Sequence, residues 1–410
     1  MNNPSKVLLL PCLILFIDAL AAGIAIPYIP EIINHIKSEH LEFGSRISIF
    51  FALLLGQVVI GPIWAQSVRW LPWSLTVLIS FLAFGLGFFT LARSQTFILS
   101  VIVLILPGLS VATTIVTLSV LSRAVPDGRQ SEGQGIGFAM IAAGFTIGPV
   151  LSGGMEFDSV TIVLQIAGIL CLVGALIAAV ALFPFFGGLN LIKQKPRQLK
   201  IHKNNQKKKS DIGFFFACLG VTAALLAASS QPFTLMWPLI SSEAFNFGPS
   251  QIGFSFSIFT GLIALANIFL VSKIERFSEK QISCFLIFVA GFYLLSAFYM
   301  SPLVVAPVAV IVALLSCAPA ILIGRAMCSL QTDKSCAEYE FINTVFFFAG
   351  VLGTVLGSST SFLAFDHTII VFSNKVNIAL LFSAVCVVGA WSALQVGFTT
   401  TAAKRDLKRE

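Results

Sequence analysis

Apolar runs of about 20 residues recur along the whole of this chain, and each is long enough to cross a hydrocarbon core about 30 Å thick. Twelve are read, at 7–29, 47–65, 74–92, 96–120, 135–153, 159–186, 212–240, 250–272, 282–300, 303–324, 341–364 and 376–399. A backbone at that depth has no water to bond to, so it closes its own hydrogen bonds as helix. The expectation is an all-α membrane protein of twelve transmembrane helices. Composition excludes an ordinary soluble domain: 57% of residues are hydrophobic and 10% charged, with 39 Phe, where soluble chains carry roughly 25% charged residues.

The basic residues check the count and set the orientation, because short cytoplasmic loops retain Lys and Arg. With the N-terminus inside, Lys6, Arg69, Arg123, Arg129, the 193–209 cluster, Lys273, Arg276, Lys280, Arg325, Lys334 and the Lys404–Arg409 tail are cytoplasmic. The outside keeps Lys37, Arg46, Arg93 and Lys375. Both termini and residues 190–211 are therefore expected in the cytoplasm, with 30–46 and 365–375 outside. The net charge of +7 reports this topology and not a nucleic-acid partner. None of the eight cysteines falls in a predicted outside loop, which disfavours structural disulfides, and no Cys/His spacing predicts a metal or cofactor site. Residues 7–29 exceed a signal-peptide core and lack a small-residue cleavage site, so they are expected to stay as the first helix.

Asp18 stands near the middle of that helix. An ionisable group at bilayer depth costs roughly 2.5–3.5 kcal/mol on insertion scales and normally faces a protein-lined cavity with a task there. Ala21, Ala22, Ala25 and Ile29 follow it at helical spacing, and the small residues leave room beside the carboxyl. Asp18 is the candidate proton-coupling residue; the competing reading is a permanently neutral hydrogen-bond donor that locks helices together.

The hydrophilic interval Asn190–Asp211, with Lys193, Lys195, Arg197, Lys200, Lys203 and Lys207 to Lys209, divides six runs from six. The expected organisation is an N-terminal bundle over 1–189, a basic cytoplasmic linker over 190–211, and a C-terminal bundle with a short tail over 212–410. The linker reads as a tether that fixes orientation, or as a contact for anionic lipid. The two halves echo each other. Ala143-Gly144-Phe145-Thr146-Ile147-Gly148-Pro149-Val150-Leu151-Ser152-Gly153 has a counterpart in Ala349-Gly350-Val351-Leu352-Gly353-Thr354-Val355-Leu356-Gly357-Ser358, and Leu20-Ala21-Ala22 has one in Leu226-Ala227-Ala228. Secondary transporters are commonly built from such repeats.

On these features the chain resembles the major facilitator superfamily over nearly its whole length, and within it the twelve-helix drug/proton antiporters. The run Gly144-x-x-x-Gly148-Pro149-x-x-Ser152-Gly153 is similar to their fifth-helix GxxxGPxxGG motif, with Ser152 in place of one glycine. Phe16-Ile17-Asp18-Ala19 running to Ile26-Pro27-Tyr28-Ile29-Pro30 is similar to the first helix of tetracycline/proton antiporters. The resemblance implies two pseudo-symmetric six-helix bundles and exchange rather than uptake. Gly144, Gly148, Pro149 and Gly153 are the motif positions; physically they allow close helix contact and a bend, which tight packing alone also explains. Gln57-x-x-x-Gly61-Pro62 through Arg69 resembles the family's gating loop, so Gly61 and Arg69 are its candidates, but Ala65 stands where an aspartate belongs and Val68 where a glycine does. Leu104-x-x-Pro107-Gly108 occupies the place of the helix-four RxxQG motif, without its arginine. Proton coupling then rests on Asp18 or is arranged differently.

Gln57, Met140, Gln231, Trp237, Asn343 and Phe347 are the candidate substrate-cavity residues, polar or aromatic positions at helix depth. The chain contains no Walker A, GxSxG or HExxH sequence, which argues against an enzyme and against ATP as direct energy source. The expectation is a monomeric secondary transporter in a bacterial cytoplasmic (inner) membrane, exporting an amphipathic drug or metabolite against protons. The alternatives are an ion-coupled importer or facilitator of a small nutrient, or a non-transporting sensor.

Overall fold

The computed structural model describes residues 4–36, 56–94, most of 96–180, 206–234, most of 237–274, 279–298, parts of 310–322 and 345–357, 368–371 and 374–406. In chain order come α1 (Pro4–Ala25), a 3-10 turn (Ile26–Tyr28), α2 (Ile29–Ile36), a π-turn (Gly56–Ile60), α3 (Gly61–Ala65) and a second 3-10 turn (Gln66–Arg69). They are followed by α4 (Trp73–Arg93), α5 (Phe97–Val103), α6 (Gly108–Ala124), α7 (Gln130–Met155) and α8 (Val160–Val180). The remainder is α9 (Gln206–Thr234), α10 (Pro249–Phe269), α11 (Val271–Ile274), α12 (Glu279–Phe298), β1 (Thr368–Val371), β2 (Asn374–Asn377) and α13 (Ile378–Asp406).

Prolines set several of the breaks. Pro27 and Pro30 cannot donate to the preceding turn, and the first span changes pitch between α1 and α2 at that point. Pro62 likewise leaves a carbonyl of the preceding turn without its donor, and the chain there widens into the π-turn. The run over 96–120 was expected as one helix. The structure divides it into α5 and α6, joined by turns in which Leu106 N donates to Val103 O and Gly108 N to Ile105 O; Pro107 cannot continue a helix through that point. At the hydrophilic interval, α9 begins at Gln206, earlier than the span expected from 212, because Gln and Lys are good helix formers. Within the loop expected over 365–375, the β-branched run Thr368–Val371 pairs antiparallel with Asn374–Asn377, Thr368 opposite Asn377. Apart from that hairpin, the described elements are helical.

Helices Leu8–Ile32, Trp73–Arg93, Gln130–Met155, Val160–Val180 and Pro249–Phe269 are the five, among the described residues, long and apolar enough to cross a membrane. Their burial pattern is that of a lipid-embedded protein. On α8 the small residues Ala167, Gly168, Cys171, Gly174, Ala175 and Ala178 are buried, whereas Ile169, Leu172, Val173 and Leu176 are exposed. With lipid as solvent, large side chains gain nothing by turning inward, and small ones let backbones approach.

The chain packs as two compact units, Met1–Gln194 with Trp237–Ile268, and Lys195–Met236 with Phe269–Glu410. In the first, α1 lies along α7 and α4 along α8. The Phe81 ring fills the space a side chain at Gly174 would need, and a Cβ on Gly85 would come within 3.1 Å of Cys171. In the second, α9 and α12 pack along α13. Thr222 Oγ1 donates to Cys218 O at 2.8 Å, and Gln395 Nε2 donates to Ser283 Oγ across the α12–α13 contact.

Candidate functional site

Asp18 is placed by the middle of α1, with α6, α7 and α8 packed on that helix. The residue is 6% exposed. Ser110 Oγ donates to Asp18 Oδ2 at 3.0 Å, while Oδ1 has no hydrogen-bond partner among the described residues. No cation within ion-pair reach of it is found among those residues. A carboxyl with one oxygen held and the other unfilled can carry a proton or pass it on.

Sequence reading did not single out Ser110, Thr113 and Thr117. They stand at i, i+3 and i+7 of α6, one stripe of one helix face. The Thr113 and Thr117 hydroxyls are fully buried and also lack partners among the described residues. The signal was present as three hydroxyls at helical spacing after Gly108. Beyond them, Gln134 Nε2 on α7 donates to Ser122 Oγ on α6 at 2.5 Å, pinning the two helices.

The fifth-helix motif lies on α7 and faces two neighbours in the same unit. A Cβ on Gly148 would lie 2.8 Å from the carbonyl carbon of Gly23 and 2.9 Å from Ile24 N; one on Gly144 would meet Ala19 Cβ at 2.7 Å and Leu20 N at 2.8 Å. Those glycines bring α7 against the backbone of α1. Further along, α7 meets α10: a Cβ on Gly153 would lie 2.8 Å from Pro249 O, and one on Gly253 would collide with Pro149 O. Thr146 Oγ1 bonds Thr260 Oγ1 at 3.1 Å, and Thr260 Oγ1 also reaches Phe145 O. Tyr28 closes this end by donating to Ser152 O at 3.2 Å and accepting from Phe157 N at 2.8 Å. The other unit repeats the device, since a Cβ on Gly353 would collide with the backbone of Ala224 on α9.

At the gating-loop positions, a Cβ on Gly61 would lie 2.6 Å from Gly108 O, so α3 touches the start of α6. Gly56 and Gly108 meet backbone to backbone. The turn is tied to α4 through Trp64 Nε1 to Ser80 Oγ at 3.0 Å and a Ser67–Thr76 hydroxyl pair at 3.1 Å. Arg69 ends that 3-10 turn and Gln57 lies in the π-turn; their side chains are outside the described residues. Of the cavity candidates, Met140 is half-buried and packs on the Leu15, Leu118 and Leu121 cluster. Trp237 Nε1 donates to Ser255 Oγ at 2.9 Å. Gln231 lies on α9 with its side chain outside the description, and Asn343 and Phe347 fall outside the described residues. Asp18 and the α7 motif thus share one contact region on α1, and Met140, one turn before Gly144 on α7, packs against Leu15 of the same helix.

Residues 12–358 match the family model of the Major Facilitator Superfamily. Among curated proteins, none matches the chain at a significant level. Solved structures share its fold. The human organic anion transporter MFSD10 (TETRAN) is 14% identical, with a TM-score of 0.67 over 98% of this chain and 100% of that one. FucP in its outward conformation is 12% identical, with a TM-score of 0.65 over 95% and 98%. A bacterial homologue of the human lysosomal transporter Spinster, inward-facing and unoccupied, is 14% identical, with a TM-score of 0.62 over 99% and 98%. At such identities the likeness is one of fold, and the family match carries the assignment: the chain belongs to the Major Facilitator Superfamily, and is a multi-pass membrane transporter of the secondary kind rather than an enzyme.

Proposed function

We propose that this transporter exports an amphipathic small molecule, a drug or a metabolite, in exchange for protons, with Asp18 as the coupling carboxyl. The observation that carries the reading is the Asp18 side chain itself, buried midway along an apolar helix with Oδ2 held by Ser110 and Oδ1 unfilled among the described residues. A structural lock would be expected to satisfy both oxygens. The fifth-helix glycines and Pro149 support exchange through the motif they resemble, and their backbone-level contacts with α1 and α10 offer surfaces that can slide as the protein alternates. Gln57, Met140, Gln231, Trp237, Asn343 and Phe347 remain the substrate candidates, and Gly61 with Arg69 the gating-loop candidates. Six-plus-six organisation over 1–189 and 212–410, a monomer, and a bacterial inner membrane complete the proposal.

Two experiments test it. Everted membrane vesicles from cells producing the protein are expected to accumulate amphipathic fluorescent compounds when acidic inside. Accumulation confined to right-side-out vesicles that are acidic outside would overturn export in favour of proton symport. For orientation, reporters at His40 and Lys203 are expected on opposite faces, because the Lys/Arg alternation puts 30–46 outside and 190–211 inside; both on one face would overturn the topology.

A further inference from the structure

The second unit contains a cavity of about 350 Å³, within the size range of small-molecule pockets. Its walls are apolar: Leu226 on α9, Leu270 beside α11, Phe285 and Leu286 on α12, Leu315, and Leu394 on α13. The one lining hydroxyl, that of Thr222, already donates to a backbone carbonyl within its own helix. A polar guest would find no partner inside, and an apolar cavity does not hold water well. At its edge stands Lys273, the single charged residue of the lining, exposed and without an ion pair among the described residues. It is also the first charged residue after Glu243, so it sits at the end of an apolar stretch long enough to cross the hydrocarbon core, at the level where headgroups lie.

An apolar chamber with one ammonium at its edge is complementary to an amphipathic anion. We propose that this cavity holds an acyl chain of an anionic phospholipid, with the lipid phosphate on Lys273. Basic pockets among transmembrane helices recruit anionic headgroups in this way. Glu275 and Glu279 follow Lys273 together with Arg276 and Lys280, leaving one net positive charge over that stretch, which matches a monoanionic headgroup rather than a multiply charged one. Neither Asp18 nor the direction of transport bears on this lipid site.

Purified protein stripped of lipid and titrated with phosphatidylglycerol, phosphatidylcholine or palmitate, with occupancy read by native mass spectrometry, tests the site. One phosphatidylglycerol is expected to bind at least tenfold more tightly than phosphatidylcholine. Lys273→Gln is expected to abolish that preference and Lys273→Arg to keep it. Ala318 also lines the chamber, so Ala318→Trp, which fills it, should remove both lipids. Because Lys273 is exposed, its variants test the charge without disturbing packing. Equal binding of the two phospholipids to the wild-type protein, or a preference untouched by Lys273→Gln, overturns the proposal. Binding of palmitate without phosphatidylglycerol overturns it in favour of a free fatty acid.

Discussion

Asp18→Asn is expected to abolish uphill transport. In proteoliposomes, a pH difference of one unit supplies about 1.4 kcal/mol per proton, enough for about tenfold accumulation in a one-for-one exchange. The wild-type protein should approach that ratio, and the Asn variant should stay near a ratio of one while still equilibrating substrate. The substitution keeps size and can still accept the Ser110 hydrogen bond, so the fold should survive; what is lost is the titrating proton. Asp18→Glu keeps the proton but moves it by one methylene and should retain part of the activity. Ser110→Ala leaves Oδ2 without its donor and should shift the pH profile of transport rather than eliminate coupling. Wild-type accumulation by Asp18→Asn would move the coupling elsewhere or make the protein a facilitator. The absence of the helix-four arginine and of the gating-loop aspartate gives this test its weight, because no other acidic residue is read well inside a helix.

The span Ser74–Ala92 was legible almost to the residue, as α4 from Trp73 to Arg93, because an apolar run without proline has only one way to satisfy its backbone in lipid. The run over 96–120 was not. Hydropathy is blind to the missing amide of a proline such as Pro107 in that run. Asp18 was visible because burying a carboxyl is costly, and cost marks purpose. Hydroxyls are cheap: Ser119 and Ser122 each donate to a carbonyl one turn back, and nothing local separates them from Ser110, which donates across to α1. Met140 shows the reverse difficulty. Its position on a glycine-rich helix fits a cavity wall or a packed core equally well in sequence, and its half-buried side chain lies against the Leu15, Leu118 and Leu121 cluster, at the edge of that core. In the echo between the two halves, Asp18 has no acidic counterpart. Aligning Leu20 with Leu226 makes Ala224 the counterpart of Asp18, and Ala224 is the residue whose backbone Gly353 approaches.

Gly148→Leu should reduce transport at least tenfold without reducing membrane insertion. Insertion follows the hydrophobicity of each span, which leucine raises. Packing is another matter. A Cβ at this position falls under 3.0 Å from the Gly23 carbonyl carbon and from Ile24 N, both backbone atoms that cannot rotate aside. The α1 backbone must therefore retreat from α7, at a cost of about 1–3 kcal/mol for overpacking. That helix carries Asp18, held to α6 by a single hydrogen bond, so the retreat displaces the carboxyl from Ser110. Even Gly148→Ala should be impaired, since the contact begins at the Cβ. Gly154 supplies the control, being exposed with nothing within 4 Å of an added Cβ, so Gly154→Leu should transport normally. Transport, membrane abundance and melting temperature in detergent, measured on all three variants, separate the outcomes. Normal transport by an abundant Gly148→Leu protein would mean that the close approach of α1 and α7 is not needed for the cycle, and the resemblance of the motif to those of exchangers would then carry no mechanism.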